Sequence, residues 1–284
     1  MLSSAIPFPE RYRLVVVDVD GTLLDTQHQL PQRVADAIRA TQQHGLAVAL
    51  ATGKMLRSVR SLIEAMDLRG PQITLNGAAL VLAGTGEPLV YHPLRQDDRH
   101  LAIELTRASA PDVLITHFLL DTIMVDQPEH PLLPVLLSYG EKQITPVPSL
   151  LADDLPPAAK ILLVGTHEQL RDLRRVVTPV LEPRLIVTTT APDFLEFFDP
   201  AAGKGNGLAA LLDVLKLPHE AIIAIGDGEN DLPLFAQAGL SVAMGNASAT
   251  VQQAADLVIG SNDAAGVADF LDDLLQARIA HTGD

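Results

Sequence analysis

The chain has 284 residues, long for one typical domain and comfortable for two, and 48% of them are hydrophobic. Aromatics are only 4% and Trp is absent, so Leu, Val, Ile and Ala must build the core, and the lack of cysteine excludes disulfides, thiolate metal sites and cysteine catalysis. With 20 basic against 35 acidic residues, the net charge of −15 disfavours nucleic acid or an anionic membrane as the main partner, and it would repel an anionic substrate unless cations gather at the site.

Met1–Arg13 lacks a basic segment followed by an apolar stretch and carries Pro7, Pro9 and Glu10. It reads as a short leader and not as a signal peptide. No apolar run reaches the ~18–20 residues of a membrane span, so a cytoplasmic protein is expected. Leu14–Val19 is a continuous apolar run, the mark of a strand buried on both faces. Pro31–His44 has helical spacing and Gly45 ends it. A second strand at Leu46–Ala51, a helix at Met55–Met66 and a third strand at Gln72–Leu75 follow. Strands alternating with helices imply right-handed βαβ units and a parallel sheet.

From Gly84 to Asp199 the pattern changes to a hairpin-like start, a helix at Asp97–Ser109 and strands at Val113–Leu119 and Thr122–Asp126. A Pro-rich stretch follows, then a strand at Lys160–Gly165, a helix at Glu168–Val180 and strands at Arg184–Thr190 and Phe194–Phe198. Alternation resumes at Lys204, with helices at Gly205–Leu215, Leu232–Ala238, Ser248–Ala255 and Ala264–Ala277 and strands at Ala221–Gly226, Leu240–Met244 and Leu257–Ile259. The expected fold class is α/β. A Rossmann-like parallel sheet core with helices on both faces comes from residues 1–83 and 200–284. Residues 84–199 form an inserted α+β cap domain.

Asp18 and Asp20 sit where the first strand ends, the end at which open parallel sheets place their sites. Gly21 supplies a turn and Thr22 can satisfy backbone groups. Alone, this could be an acidic strand cap. Gly226-Asp227-Gly228-Glu229-Asn230-Asp231 follows another apolar strand and alone could be a turn with a helix cap. If the first strand is central, the strands ending at Asp18 and Asp227 are neighbours across the switch point. Their carboxylates then raise one another's pKa unless a hard cation intervenes, and Mg²⁺ suits few carboxylates plus water and phosphate. Thr52 and Gly53 close the second strand, where a hydroxyl and N–H groups can hold a phosphoryl oxygen or cap a helix. Lys204 opens a helix, a poor place for a cation on dipole grounds, which favours a functional role.

Together these residues resemble the haloacid dehalogenase superfamily of phosphohydrolases, and specifically its Cof-type subfamily, with a C2-type α+β cap inserted after the third core strand. The motifs match as Asp18-Val19-Asp20-Gly21-Thr22, Thr52, Lys204, and Gly226-Asp227 with Asn230-Asp231. Asn76-Gly77-Ala78 and Val242-Ala243-Met244-Gly245-Asn246-Ala247 are similar to subfamily signatures. The resemblance implies that Asp18 is the nucleophile forming an aspartyl-phosphate and that Asp20 is the acid and base. It implies Mg²⁺ held by Asp18, Asp227 and the backbone carbonyl of Asp20, supported by Asn230 and Asp231, with Thr52, Gly53 and Lys204 on the phosphoryl group. Lys54 stands where the subfamily usually has Arg, and loses the bidentate fork. The run Phe198–Gly203 before Lys204 is less apolar than usual.

In this family the cap reads the leaving group. His117, Asp193 and Glu196 are the candidate readers, each also readable as an ordinary strand or turn residue. Asn76 is the stronger candidate because it ends a core strand beside the crevice. The expected substrate is a small phosphorylated metabolite, such as a sugar phosphate or a cofactor phosphate. The competing readings are a phosphomutase or phosphotransferase, and a non-catalytic phosphometabolite-binding protein.

Overall fold

The computed structural model describes residues 6–182 and 184–282; residues 1–5 of the leader lie outside them. The elements in chain order begin with β1 Leu14–Val17, α1 Gln32–Gln43, β2 Ala47–Leu50, α2 Arg60–Ala65, β3 Pro71–Thr74, β4 Ala79–Leu82 and β5 Pro88–Tyr91. Next come α3 Gln96–Ser109, β6 Leu114–Phe118, β7 Ile123–Val125, α4 Leu133–Ser138, β8 Ile144–Pro146, β9 Lys160–Val164, α5 His167–Leu181, β10 Ile186–Ala191 and β11 Phe194–Phe198. The chain closes with α6 Lys204–Leu215, β12 Ile222–Gly226, α7 Leu232–Phe235, β13 Leu240–Ala243, α8 Ala249–Ala254, β14 Leu257–Val258 and α9 Gly266–Thr282.

The first sheet is parallel, in the order β14-β13-β12-β1-β2. Its interior strand β1 pairs Leu14 with Ile222 on one side and with Ala47 on the other. All four β1 side chains are buried, and they divide between two clusters. Val15 and Val17 pack with α1 and α9, while Leu14 and Val16 pack with α6 and α7. Each such burial stabilises the fold by ~1.5–3 kcal/mol. The expected α/β class, with helices on both faces, is what the structure has.

β3 touches this sheet through one parallel bridge, Ala51 with Ile73, and then turns back into the antiparallel set β3-β4-β5. The hairpin expected at the start of the insert is therefore hydrogen-bonded to the body side: β5 lies beyond Gly84 yet pairs with β4. The insert carries a six-stranded sheet, β10-β11-β9-β6-β7-β8. Ile115, Ile161, Leu163, Leu195 and Phe197 face α3 and α5. Phe118, Leu162, Val164, Phe194 and Phe198 share the core cluster of the body. One face of the insert thus lies over the crevice. α4 and β8 were not expected from the Pro-rich stretch. No helix among the described residues is long and apolar enough to cross a membrane.

Candidate active site

β1 and β12 run side by side and end together, so Asp18 and Asp227 emerge as neighbours at the C-terminal edge of the sheet. Gly21 turns the chain there with φ +77°, and a Cβ on it would lie 2.2 Å from Asp227 Oδ2. Only glycine allows both the turn and this approach. Thr22 donates its hydroxyl to Asp227 Oδ1 at 3.0 Å. Asn246, in the loop after β13, donates to the Gly21 carbonyl at 2.8 Å and lies 3.5 Å from Asp227 Oδ2.

Asp231 is fully buried behind this edge. Its Oδ2 accepts the amides of Asp227 and Gly228, both at 3.0 Å, and so shapes the whole 227–231 loop. Lys204 Nζ donates at 2.6 Å to Asp18 Oδ1 and at 2.6 Å to Asp231 Oδ1. This explains its unfavourable place at the start of α6: two carboxylates outweigh the helix dipole. Burial works against the Lys204 charge, but Asp18 and Asp231 overcome it and hold its pKa above the ordinary lysine value.

One carboxylate oxygen from each of Asp18, Asp227 and Asp231 lies within 4.8 Å of the others. Burial raises the Asp18 pKa well above the ordinary aspartate value; Lys204 opposes the rise, while Asp231 and Asp227 add to it. Asp227 is pushed up to about 6, by burial first and then by Asp231. Three acids against one lysine leave a buried excess of negative charge. Oxygen donors of that kind suit a hard divalent cation.

The turn at Leu75–Gly77 draws three loops together. Leu75, Asn76 and Gly77 all have positive φ, at 54°, 55° and 85°. Asn76 N–H donates to the Thr52 carbonyl at 2.9 Å, and Gly203 N–H donates to the Asn76 carbonyl at 2.8 Å. A Cβ at Gly77 would meet the Gly203 carbonyl oxygen at 2.1 Å. The Asn76 side chain accepts from Asn230 Nδ2 at 3.1 Å and donates to Glu196 Oε2 at 2.6 Å.

Asp18, Asp20, Gly53, Asn76, Asp227 and Asn230 all line a cavity of about 140 Å³ between the sheet edge and the insert. Thr52, Lys204 and Asp231 are buried beneath it. The Thr52 hydroxyl accepts the Lys54 amide at 3.1 Å. Asp20 is the most open of the acids, its side chain 39% exposed, and its Oδ1 stands 3.1 Å from Lys54 Nζ.

Of the three candidate readers, Glu196 lines this cavity and is buried. Its Oε1 takes Lys160 Nζ and the Thr190 hydroxyl, each at 2.9 Å. Asp193 is a turn residue between β10 and β11 and does not line the cavity. His117, a candidate reader, is instead a fully buried strand residue away from the cavity, 2.9 Å from the Pro156 carbonyl through Nε2. The face it occupies is covered by the insert's own helices. Sequence reasoning missed Lys160, Glu141 and Tyr139, which also line the cavity. Lys160 donates to the Gly53 carbonyl at 2.8 Å. The only signal for it was a lone cation opening the apolar run Ile161–Val164. Glu141 lies in Gly140-Glu141-Lys142, which reads as a surface turn, yet it is buried, accepts from Ser58 at 2.7 Å, and has its pKa raised by burial.

The haloacid dehalogenase-like hydrolase family matches residues 15–271. The HMP-PP phosphatase of Enterobacter sp. (strain 638) is 30% identical over 237 residues, covering 83% of this chain and 85% of the relative. The 5-amino-6-(5-phospho-D-ribitylamino)uracil phosphatase YwtE of Bacillus subtilis (strain 168) is 26% identical over 291 residues, covering 94% of this chain and all of the relative. The crystal structure of a haloacid dehalogenase-like hydrolase from Bacteroides thetaiotaomicron superposes with a TM-score of 0.82 at 27% identity, covering 92% of this chain and 98% of that one. With four ordered motifs at one sheet edge and a family match over nearly its whole length, the chain belongs to the haloacid dehalogenase-like hydrolases, as a phosphohydrolase of the Cof type.

Proposed function

We propose that the protein is a Mg²⁺-dependent cytoplasmic phosphatase that hydrolyses a small phosphorylated metabolite through an aspartyl-phosphate on Asp18. Residues 1–83 and 200–284 are assigned to the catalytic body and 84–199 to the cap, except that β5, at Pro88–Tyr91, pairs with β4 and goes with the body. The observation that carries this reading is the buried cluster of Asp18, Asp227 and Asp231 around Lys204 at the switch point of the parallel sheet. Two relatives named for phosphatases of small phosphorylated compounds support the substrate class.

The donor set fits a divalent cation, since burial and mutual repulsion leave the acids short of compensating charge. Asp18, Asp227 and the Asp20 carbonyl would hold Mg²⁺, and Asp231 would hold the loop. When bound, the metal supplies charge neutralisation at the phosphoryl group and keeps the nucleophile ionised. Asp18 attacks phosphorus in line, the ester P–O bond breaks, and Asp20 gives its proton to the departing alkoxide. Asp20 then takes a proton from the water that splits the aspartyl-phosphate and releases inorganic phosphate. Lys204, the Gly53 backbone and the Thr52 hydroxyl, which retains a proton to donate, hold the phosphoryl oxygens. Asp18 must be ionised to attack, and since burial works against that, Lys204 and the bound cation would be what hold it ionised.

The experiment is a screen of phosphorylated metabolites with and without Mg²⁺, beside Asp18→Asn. Phosphate release should need the metal and disappear in the variant. Undiminished turnover by Asp18→Asn would sink the mechanism. Interconversion of sugar phosphates without phosphate release would favour a phosphotransferase instead.

A further inference from the structure

Beside the inner cavity lies a groove of about 520 Å³, formed by the loop after Asp20, the segment from Lys54 to Leu62 and the insert loop from Leu137 to Gln143. Lys54 and Tyr139 line both spaces, so the two meet there. The groove carries Lys54, Arg57, Lys142 and His28. Among the described residues that line it there is no Asp or Glu. That is opposite to the molecule, where acidic residues exceed basic by 35 to 20.

The cations are of two kinds. Lys54 is nearly buried; its Nζ donates to the Tyr139 carbonyl at 2.5 Å and stands 3.1 Å from Asp20 Oδ1. It is therefore held at the junction. Arg57 and Lys142 are exposed and enter no salt bridge with the described residues. Arg57 comes from the body and Lys142 from the insert, so the pair faces one space from both sides. Tyr139 lines both spaces, its ring packed 5.4 Å from His28 and 4.5 Å from Phe194. A cleft lined by one sign of charge concentrates ions of the other sign. Arg and Lys on opposite walls suit phosphate oxygens.

We propose that this groove binds a second phosphate on the leaving group, so that the preferred substrates carry two phosphate groups, one at Asp18 and one between Arg57 and Lys142. This rests on the phosphatase reading above and narrows its substrate class. Ser61 adds a neutral hydroxyl along the same groove, and Lys54 serves both phosphates from the junction.

The test uses binding, so that it does not depend on turnover. Asp18→Asn protein with Mg²⁺ is titrated calorimetrically with glucose 6-phosphate and glucose 1,6-bisphosphate. The bisphosphate should bind at least about tenfold more tightly, a difference of about 1.4 kcal/mol. Adding Arg57→Gln and Lys142→Gln together should bring the two affinities within about twofold, while Arg175→Gln on the outer helix of the cap should leave the ratio intact. Equal affinities in the parent, no bisphosphate binding at millimolar concentration, or equal weakening of both ligands by the double variant would overturn the proposal. Assays of ester turnover by the native protein separate the two ideas. Bisphosphate preference without any phosphate release removes the phosphatase reading and keeps the groove; phosphate release without preference does the reverse.

Discussion

Two carboxylates two residues apart meet different surroundings at this site. Asp18 is buried against Lys204, whereas Asp20 has a side chain 39% exposed and faces the cavity. If Asp20 is the proton carrier, Asp20→Asn should lower kcat by about 10²–10⁴-fold on esters with a poor leaving group. With an activated aryl phosphate, which needs no protonation, the loss should shrink; an equal loss on both substrates would count against the role. His117 is a buried titratable group in the insert. Burial lowers its pKa to about 4 from the ordinary 6.5, so the unfolded chain binds a proton that the folded chain refuses between these values. Stability from this group is present above pH 6.5 and is lost as pH falls toward 4. The difference in unfolding free energy between the native protein and His117→Gln should therefore change by about 2 kcal/mol from pH 6.5 to 4.5, with the native protein losing more. Urea unfolding at both pH values checks this. The strand-end acids were legible because a motif, a preceding apolar run and a following glycine all agree. His117 was not, because period-two alternation says which residues share a face, and not whether a helix covers it.

At the scale of elements, the turn Leu75–Gly77 decides whether Lys204 is in place. Gly77 has φ 85° and would set a Cβ 2.1 Å from the Gly203 carbonyl, next to the start of α6. Gly77→Ala should cost more than about 2 kcal/mol and reduce phosphate release, because the backbone that carries Lys204 must move. Gly45 has a similar φ of 82° but open space around it, so Gly45→Ala should cost only about 1–2 kcal/mol and leave activity alone. Chemical denaturation of both variants, beside their turnover, separates backbone strain from displacement of the site. Most strands and helices of the parallel sheet were readable, because buried parallel strands are unbroken apolar runs. α4 and β8 were not, since Pro131, Pro134, Pro146 and Pro148 mask a short helix and an edge strand. The helix expected at Leu232–Ala238 is shortened to α7, preceded by a 3₁₀ turn at Glu229–Asp231. The buried carboxylate of Asp231 fixes that turn, and local propensity does not foretell it.

Across the whole molecule, the body and the insert are joined by polar contacts as well as by apolar packing. Lys160 reaches from the insert to Gly53 of the body and pairs with Glu196, whose other oxygen is held by Asn76 of the body. Lys160→Met leaves a buried carboxylate without its cation and should destabilise the protein by about 3–5 kcal/mol. Lys160→Met with Glu196→Leu should recover much of that loss, since a matched apolar pair replaces a broken ionic one. Losses that simply add, in a double-mutant cycle by urea unfolding, would show that the pair is not coupled. The presence of an insert was legible from the break in strand–helix alternation. Its edge was not: β4 and β5 read as a hairpin wherever they dock, and only pairing with β3 sets them on the body side.

The position of β1 between β2 and β12 also has a meaning in time. As the chain leaves the ribosome, β2 follows β1 within some thirty residues, as in any compact local unit. The other neighbour, with Asp227, arrives only after the insert has been made. Every strand of the six-stranded sheet lies between Leu114 and Phe198, so that sheet has all its partners while the first is still half built. A nascent chain that has reached Phe198 thus holds every strand of the six-stranded sheet and none of Lys204, Asp227 and Asp231. Lys204, Asp227 and Asp231 reach the edge that β1 began only after Phe198 has been made, so the groups of the proposed site come together late.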